Sequence, residues 1–296
     1  MTPNVTVVGS INMDLVTSTE QVPNQGETVL GYDFATYPGG KGANQAVSAS
    51  RLGAKTNMIG AVGKDAFGQE LSETLRENGV VTENVKPVTD TPSGTATIIL
   101  SNGDNRIIVN PGANHSVTPD YIKSCAEVLR SSDIVLMQLE IPLETVEKAA
   151  KLAKEGGATV ILNPAPIQAL PESLLQWVDI ITPNESEAET LFNQSHQSNL
   201  EDKLIITKGS EGVFFYEDGK ERLIPAYRVD PVDTTGAGDA FNGALAFKLS
   251  EGSTKQEAIS YANAVAALSV LKSGAQTGLP TQAEVQVFLE HQGEQT

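Results

Sequence analysis

Short apolar runs alternate with amphipathic helical stretches along most of the sequence, and this alternation limits the possible folds more than any other feature. The apolar runs are predicted strands at Val5–Gly9, Asp133–Leu139, Thr159–Leu162, Ile180–Thr182 and Lys203–Thr207. Predicted helices lie at Lys41–Gly53, Asp65–Gly79, Leu143–Glu155 and Leu174–Val178, and another starts near Asn184. Strands that are apolar on both faces form parallel sheets with helices packed on each side. The pattern therefore predicts an α/β fold with a Rossmann-like, mainly parallel sheet flanked by helices.

Two segments interrupt this alternation with β-rich sequence. Residues 15–37 alternate and are rich in Thr, Val, Tyr and Phe, while Thr95–Leu100 and Arg106–Val109 flank Asn102-Gly103. Asn-Gly between two such runs is a strong hairpin signal. We expect both segments to form one small antiparallel sheet that projects from the α/β body. The predicted division gives residues 1–14, 38–93 and 111–296 to the core, and residues 15–37 and 94–110 to the small sheet.

The charge balance narrows the classes of partner. The 296 residues include 37 acidic and 20 basic side chains, which gives a formal net charge of −17. Nucleic acids and anionic membranes both attract basic surfaces, so we expect neither as a partner. No apolar run approaches the roughly 18 residues of a membrane helix, and the N-terminal residues lack a secretory signal pattern. With Cys125 as the only cysteine, these features predict a cytoplasmic protein.

The sharpest local signal is the segment Asp233-Thr234-Thr235-Gly236-Ala237-Gly238-Asp239. Apolar residues at helical spacing follow it, so the glycines lie where a loop becomes a helix. Glycines at such a junction let backbone N–H groups point at an anion, at the positive end of the helix. Asp239 lies in the first helical turn, where its carboxylate can take a proton from a hydroxyl beside that anion. The segment suits phosphoryl transfer, although an acidic first turn that only stabilises the helix is the competing interpretation.

A second glycine-rich turn, Gly39-Gly40-Lys41-Gly42, opens a predicted helix in which Lys41 and Asn44 share one face. An ammonium group and an amide beside exposed backbone suit a ligand with many hydroxyl groups. Taken alone, a glycine turn with a solvated lysine is the simpler interpretation.

Polar residues also follow several predicted strands at their carboxyl ends. Asn12 and Asp14 follow the first strand at alternate positions, Glu140 follows a later one, and Asn184 and Glu187 begin a helix. In an open α/β sheet, ligands bind beyond the carboxyl ends of the strands, and alternate side chains point the same way. These residues are therefore candidate ligand contacts, with Asx turns and helix caps as the competing interpretations.

Taken in this order, the segments resemble the ribokinase family of carbohydrate kinases, from Val5 to about Pro280. The turn at Gly39–Asn44 looks like the first family signature, and Asp233–Asp239 looks like the second. Further similarities are Asn163-Pro164-Ala165-Pro166 and Lys272-Ser273-Gly274-Ala275-Gln276. The resemblance implies ATP-dependent phosphorylation of D-ribose at its 5-hydroxyl.

The resemblance also implies a role for each matching residue. Asp239 would be the general base, beside an anion hole made by Gly236, Ala237 and Gly238. The sugar would be held by Asn12, Asp14, Gly40, Lys41, Asn44, Glu140 and Asp239. ATP would be bound by Asn184, Thr207, Gly209, Ser210, Gly212, Gly238 and Asn263.

Two cations and a second copy of the chain are implied as well. Glu187 would hold Mg²⁺ through water. K⁺ would be held, partly through backbone oxygens, by Asp233, Thr235, Ser269, Lys272, Gly274 and Gly278. The small sheet would form a lid over the sugar, and the lids of two chains would clasp into a homodimer. Its candidate apolar contacts are Val29, Tyr32, Phe34 and Ala35.

One departure from the family pattern lies in Ala188–Asp202, which is shorter than usual and polar over Asn193–Asn199. We expect a helix that covers the sheet to be missing or much reduced there.

Other functions fit less well. A related kinase acting on deoxyribose, fructose, a keto-deoxy sugar acid or a nucleoside uses the same motifs and stays open. A sugar-binding regulator without catalysis has no need for Asp239 beside an anion site. A dinucleotide oxidoreductase lacks its G-x-G-x-x-G fingerprint, because Phe241 occupies the third glycine position.

Overall fold

The computed structural model of the chain describes residues 2–102, 104–194, 200–217 and 219–293. Its strands are β1 (Asn4–Val8), β2 (Asn12–Thr19), β3 (Gly31–Gly39), β4 (Lys55–Gly63), β5 (Val81–Val88), β6 (Gly94–Ser101), β7 (Asp104–Asn110), β8 (Ile134–Met137), β9 (Thr159–Leu162), β10 (Ile180–Ile181), β11 (Ile205–Thr207), β12 (Val213–Glu217) and β13 (Lys220–Ile224). Its α-helices are α1 (Lys41–Arg51), α2 (Ala66–Glu77), α3 (Pro119–Ser124), α4 (Ala126–Arg130), α5 (Leu143–Gly156), α6 (Glu172–Leu175), α7 (Glu185–Gln194), α8 (Ala237–Ser250), α9 (Lys255–Ser269) and α10 (Gln282–Gly293). Within the described ranges, no helix combines the length and the hydropathy needed to cross a bilayer.

The centre of the fold is a six-stranded sheet in the order β10-β9-β8-β1-β4-β5, and every pair in it is parallel. Alternate residues of each strand enter different apolar cores. In β8, Ile134 and Leu136 belong to the core beneath α1, α8 and α9, whereas Val135 and Met137 belong to the core beneath α5. Both faces are therefore buried, which confirms the predicted parallel sheet between two helical layers.

The strand predicted at residues 203–207 is only loosely attached to this sheet. β11 pairs antiparallel with β12 in a separate sheet of order β11-β12-β13. It meets the main sheet through two isolated parallel bridges, Ile181 to Leu204 and Asn184 to Thr207. Its neighbour β10 has only two residues, so a full parallel ladder cannot form between them.

The small sheet consists of four strands in the order β3-β2-β6-β7. Its two outer pairs are antiparallel, as predicted, and its central pair, β2 with β6, is parallel. Asn102 has a φ of 54°, the left-handed conformation that a tight hairpin turn requires, and the Gly103 of that predicted turn lies outside the described residues. Because β2 begins at Asn12 and β3 ends at Gly39, this sheet is continuous with the predicted sugar-binding residues.

The helix predicted to start near Asn184 is α7, and the expected loss or reduction of a sheet-covering helix before Lys203 stays a prediction. α7 runs for ten residues to Gln194, and its Ala188 and Leu191 are buried in the core beneath the sheet. These two apolar positions are three apart and give the helix one buried face in an otherwise polar sequence. Residues 195–199 of the predicted loop lie outside the described residues.

Candidate active site

The N-terminus of α8 is open, as the glycine-rich segment predicts. Gly236 is the residue before the helix and has a φ of 81°, and a Cβ at this position would lie 3.0 Å from the Cα of Ala275. A glycine is therefore required by both conformation and space. The first-turn amides have no intrahelical acceptor, although the amide of Ala237 donates to the Thr234 carbonyl at 3.3 Å. Open space lies beside Gly238, so a ligand can approach this turn.

Asp239 is buried in the first turn of α8 and is held by two consecutive amides of α1. Asn44 Nδ2 donates to Asp239 Oδ2 at 2.9 Å, and Gln45 Nε2 donates to Asp239 Oδ1 at 2.9 Å. Gly40, the residue before α1, has a φ of 90°, which only glycine adopts readily. The two helices that the sequence opens with glycines therefore meet at one carboxylate.

Lys41 lies within a group of carboxylates. Burial lowers the pKa of its ammonium group, but the charges of Asp239, Glu140, Glu187 and Asp14 outweigh burial and raise that pKa above its usual value. The charges show that these residues from separate parts of the chain share one site.

Asp14 titrates near neutrality. Burial first, and then the negative charges of Glu140 and Asp239, raise the pKa of its carboxyl to about 7, while Lys41 acts in the opposite direction. The backbone of Gly39 packs directly against this carboxylate, so a side chain at residue 39 would displace it.

Asn12, on the same strand, is buried and its oxygen is already engaged. Asn114 Nδ2 donates to Asn12 Oδ1 at 2.7 Å, and Asn114 is itself anchored by the amide of Ile11 at 2.9 Å. The amide NH₂ of Asn12 is therefore the group available to a ligand.

A cavity of about 420 Å³ lies between the β11–β13 sheet and helices α8 and α9. Six of the predicted nucleotide residues line it, namely Thr207, Gly209, Ser210, Gly212, Gly238 and Asn263, and Asn184 does not. The cavity is also lined by apolar residues that the sequence did not predict as nucleotide contacts, among them Val213, Ala226, Val229, Phe241, Ala266 and Val270. Ala237 and Gly238 line the cavity as well, so the cavity reaches the first turn of α8, in which Asp239 is the next residue.

Asn184 and Glu187 form a reciprocal cap on α7. Asn184 Oδ1 accepts from the Glu187 amide at 2.9 Å, and Glu187 Oε2 accepts from the Asn184 amide at 2.8 Å. Burial raises the pKa of the Glu187 carboxyl, against the opposing effects of that bond and of Lys41. The capping interpretation is therefore correct for both residues, and the second carboxylate oxygen of Glu187 remains available.

Asp233 links the glycine turn to the loop after α9. Its two oxygens accept from the amides of Thr235 and Gly274, each at 2.9 Å. Burial favours the protonated form, but these hydrogen bonds outweigh it and lower the pKa of Asp233. In the same loop, the carbonyl oxygens of Ser269, Gly274 and Lys272 all lie within 3.3 Å of the point where a Cβ of Gly278 would be. Backbone oxygens thus converge there, while the Lys272 ammonium turns away to Glu284 at 3.0 Å.

Comparison with known proteins decides the family. The model of the pfkB family of carbohydrate kinases matches residues 2–282. The chain belongs to this family. The ribokinase of Bacillus subtilis (strain 168) is 47% identical over 290 residues, covering 97% of this chain and 99% of the relative. The deoxyribokinase of Salmonella typhi is 36% identical over 301 residues, covering 97% and 98%. A solved structure of Arabidopsis thaliana ribokinase complexed with ribose and ATP has a TM-score of 0.89 and 33% identity, covering 98% of this chain and 99% of that one.

In this pfkB kinase, sequence reasoning predicted Asn44 but assigned no role to three glutamines near Asp239, namely Gln45, Gln138 and Gln276. Gln45 follows the first glycine-rich motif without a predicted contact, and in the structure it also donates to Asn163 Oδ1 at 3.1 Å. Gln138 donates a hydrogen bond to the side chain of Gln45, and Gln276 donates one to the side chain of Asn44. No signal in the sequence separates these amides from ordinary polar residues, because their partners lie far away along the chain.

Proposed function

We propose that the chain transfers the γ-phosphoryl group of ATP to the 5-hydroxyl of D-ribose. The observation that carries this proposal is the position of Asp239. Its carboxylate contacts Asn44 and Gln45 on the side of Asp14 and Lys41, while the preceding Gly238 lines the cavity of about 420 Å³. A hydroxyl bound on one side and a phosphate bound on the other would meet at this carboxylate.

The proposed chemistry is general-base catalysis beside an anion hole. Asp239 takes the proton of the 5-hydroxyl as its oxygen attacks the γ-phosphorus, and the bond to the leaving ADP oxygen breaks. The backbone of Gly236, Ala237 and Gly238 stabilises the negative charge that develops on the transferred group. The other sugar hydroxyls are held by Asn12, Asp14, Gly40, Lys41, Asn44 and Glu140.

ATP occupies the cavity in this proposal. The predicted residues Thr207, Gly209, Ser210, Gly212, Gly238 and Asn263 line it, and its apolar wall suits an adenine ring. Asn184, at the start of α7, contacts the nucleotide from outside the cavity. The related Arabidopsis thaliana structure contains both ribose and ATP, which supports this pair of substrates.

A magnesium ion fits Glu187 as its only protein carboxylate. Magnesium keeps several waters and is commonly held by one or two carboxylates together with substrate phosphates. Within the described ranges, no group of three or more His, Cys, Asp or Glu side chains is placed to hold a metal, which suits such a sparse site. Mg²⁺ would neutralise charge on the ATP phosphates when bound.

A potassium ion fits the loop after α9. The donors are the carbonyl oxygens that converge near Gly278, and the predicted set is Asp233, Thr235, Ser269, Lys272, Gly274 and Gly278. One carboxylate with several neutral oxygens suits a large monovalent cation better than a divalent one. K⁺ would stiffen the turn that presents Gly236–Gly238.

We propose that residues 15–37 and 94–110 act as a lid on a core of residues 1–14, 38–93 and 111–296. The lid exposes large apolar side chains, with Tyr32 72%, Phe34 63% and Ile108 60% exposed. Exposed aromatic residues on one small sheet support a homodimer formed by two lids.

A cytoplasmic location agrees with the use of ATP and with the free, buried Cys125.

A deoxyribose kinase is the second candidate, because the Salmonella typhi deoxyribokinase matches the chain over nearly its full length. The higher identity to a ribokinase favours ribose. A missing 2-hydroxyl would leave a buried polar group unpaired, at a cost of about 1–3 kcal/mol. We therefore expect kcat/KM for ribose to exceed that for 2-deoxyribose by about 10-fold or more.

The test is ADP release from ATP with ribose, 2-deoxyribose, fructose, a keto-deoxy sugar acid and a nucleoside. The proposal predicts the highest kcat/KM with ribose and phosphorylation at its 5-position by NMR. Equal use of 2-deoxyribose would refute the ribose assignment, and no response to any of these compounds would refute the proposed sugar kinase activity.

A further inference from the structure

Two buried glutamines hold the amides that hold Asp239. Gln276 Nε2 donates to Asn44 Oδ1 at 3.0 Å, and Gln138 Nε2 donates to Gln45 Oε1 at 2.5 Å. Gln138 follows β8 and Gln276 lies in the loop after α9, so these outer amides reach α1 from separate parts of the fold. Each oxygen of the Asp239 carboxylate therefore accepts a hydrogen bond from an inner amide, Asn44 or Gln45, which in turn accepts one from an outer amide, Gln276 or Gln138.

The direction of these hydrogen bonds fixes the orientation of the inner amides. An Asn or Gln side chain carries an acceptor oxygen and a donor NH₂ group on the same planar carbon, pointing in different directions. Because the oxygens of Asn44 and Gln45 accept from the outer glutamines, their NH₂ groups point at Asp239. Turning either inner amide by 180° would place its oxygen against a carboxylate oxygen, which is repulsive.

The loop that carries Gln276 is fixed against the helix that carries Asn44. Arg51 on α1 donates from Nη1 to the Gln276 carbonyl at 2.9 Å and to the Leu279 carbonyl at 2.7 Å. The side chain of Gln276 is thus presented to Asn44 by a backbone that cannot easily move away.

The outer glutamines donate hydrogen bonds to the inner amides, but their own side-chain oxygens accept none. Three buried side-chain polar atoms of the described residues have no hydrogen-bond partner, and two of them are Gln138 Oε1 and Gln276 Oε1. Gln138 is fully buried and Gln276 is 7% exposed, so each oxygen has lost water without gaining a donor. An apolar side chain of similar size would remove this unpaired oxygen but would leave Asn44 Oδ1 or Gln45 Oε1 without a donor in its place. The distinctive contribution of each glutamine is therefore the direction in which it holds its inner amide.

We propose that Gln276 and Gln138 are positioning residues for phosphoryl transfer, which keep Asn44 and Gln45 turned so that both donate to Asp239. They act through these inner amides and not by contact with the sugar. The inference rests on the proposed function, because it requires Asp239 to be the general base.

The test uses Gln276→Met, which keeps the length of the side chain and removes both polar groups. We expect kcat with ribose to fall about 10-fold or more. The thermal midpoint should stay within about 3 °C of wild type, because one unpaired buried oxygen, Asn44 Oδ1, replaces another, Gln276 Oε1, and the net loss is about one hydrogen bond. Gln286→Met, the same substitution at an exposed glutamine on α10, is the matched control and should change neither quantity.

A double-mutant cycle separates positioning from a general structural effect. In an Asn44→Ala background no amide remains to be oriented, so adding Gln276→Met should lower kcat no further. If Gln276→Met or Asn44→Ala fails to fold, the pair Gln138→Met and Gln45→Ala tests the same claim at the other carboxylate oxygen of Asp239. The inference would be overturned if Gln276→Met kept the wild-type kcat, or if it lowered kcat by the same factor in the wild-type and Asn44→Ala backgrounds. Neither result would affect the proposed kinase activity, which the activity of the wild-type protein supports. A wild-type protein without kinase activity would refute both the proposed function and this inference.

Discussion

Ribose binding should depend on pH through Asp14. Burial and the charges of Glu140 and Asp239 raise the pKa of its carboxyl to about 7, although Lys41 opposes them. The ionised carboxylate can accept hydroxyl hydrogens at both oxygens, whereas the protonated form gives up one acceptor site to its own proton. We therefore expect ribose to bind preferentially to the protein with ionised Asp14.

The expected magnitude follows from the position of that pKa. With a pKa of about 7, roughly nine-tenths of Asp14 is protonated at pH 6 and roughly one-tenth at pH 8. With binding confined to the ionised form, the dissociation constant for ribose falls about 10-fold over this range.

The stability of the sugar-free protein should change in the opposite direction. Because the folded-state pKa of Asp14 lies above the unfolded value of 3.8, its contribution to stability is fully present below pH 3.8. That contribution is lost as the pH rises through about 7.

Isothermal titration of ribose at pH 6, 7 and 8 checks this reasoning. Asp14→Asn should bind more weakly and with a flat pH dependence, since its amide does not titrate. Asp33→Asn, which removes an exposed carboxylate from the same small sheet, should keep the wild-type slope. A wild-type dissociation constant that stays constant or rises between pH 6 and pH 8 would refute the role of Asp14.

Two further predictions concern assembly and cations. Sedimentation at micromolar concentration should give about twice the chain mass, and Phe34→Glu should give a monomer by placing charges in the lid contact; a wild-type monomer with full activity would rule out the clasp. Turnover should be faster in potassium than in sodium at equal ionic strength, and Asp233→Ala should abolish the difference. A wild type without any preference would make Asp233 a purely structural cap of its turn.

Much of the fold could be predicted because the signals are local. The strand at Thr159–Leu162 has its predicted bounds, since a short apolar run between two helices is typical of a buried parallel strand. The sequence also predicts β11, but an apolar run does not say which strand it will pair with. Its partner β12 and the hairpin to β13 depend on register between distant residues.

The candidate site divides in the same way. Asp239 could be selected because glycines at a helix start and a first-turn carboxylate are visible within one segment. The apolar wall of the cavity could not be predicted, because Val213, Phe241 and Val270 look like ordinary core residues in the sequence. The Gln276–Asn44 contact joins residues 232 apart, and neutral amides give no charge pattern that would mark it.

The central claim is that Asp239 accepts the proton of the sugar hydroxyl, and turnover of Asp239→Asn with ribose and ATP tests it most directly. The asparagine keeps the shape of the side chain but cannot accept a proton at neutral pH. We predict a fall in kcat of about 10²–10⁴-fold, with ribose binding, measured by titration, within a few-fold of wild type. Asp120→Asn, at an exposed carboxylate on α3, serves as the control and should change neither. Turnover of Asp239→Asn within a few-fold of wild type would contradict the account.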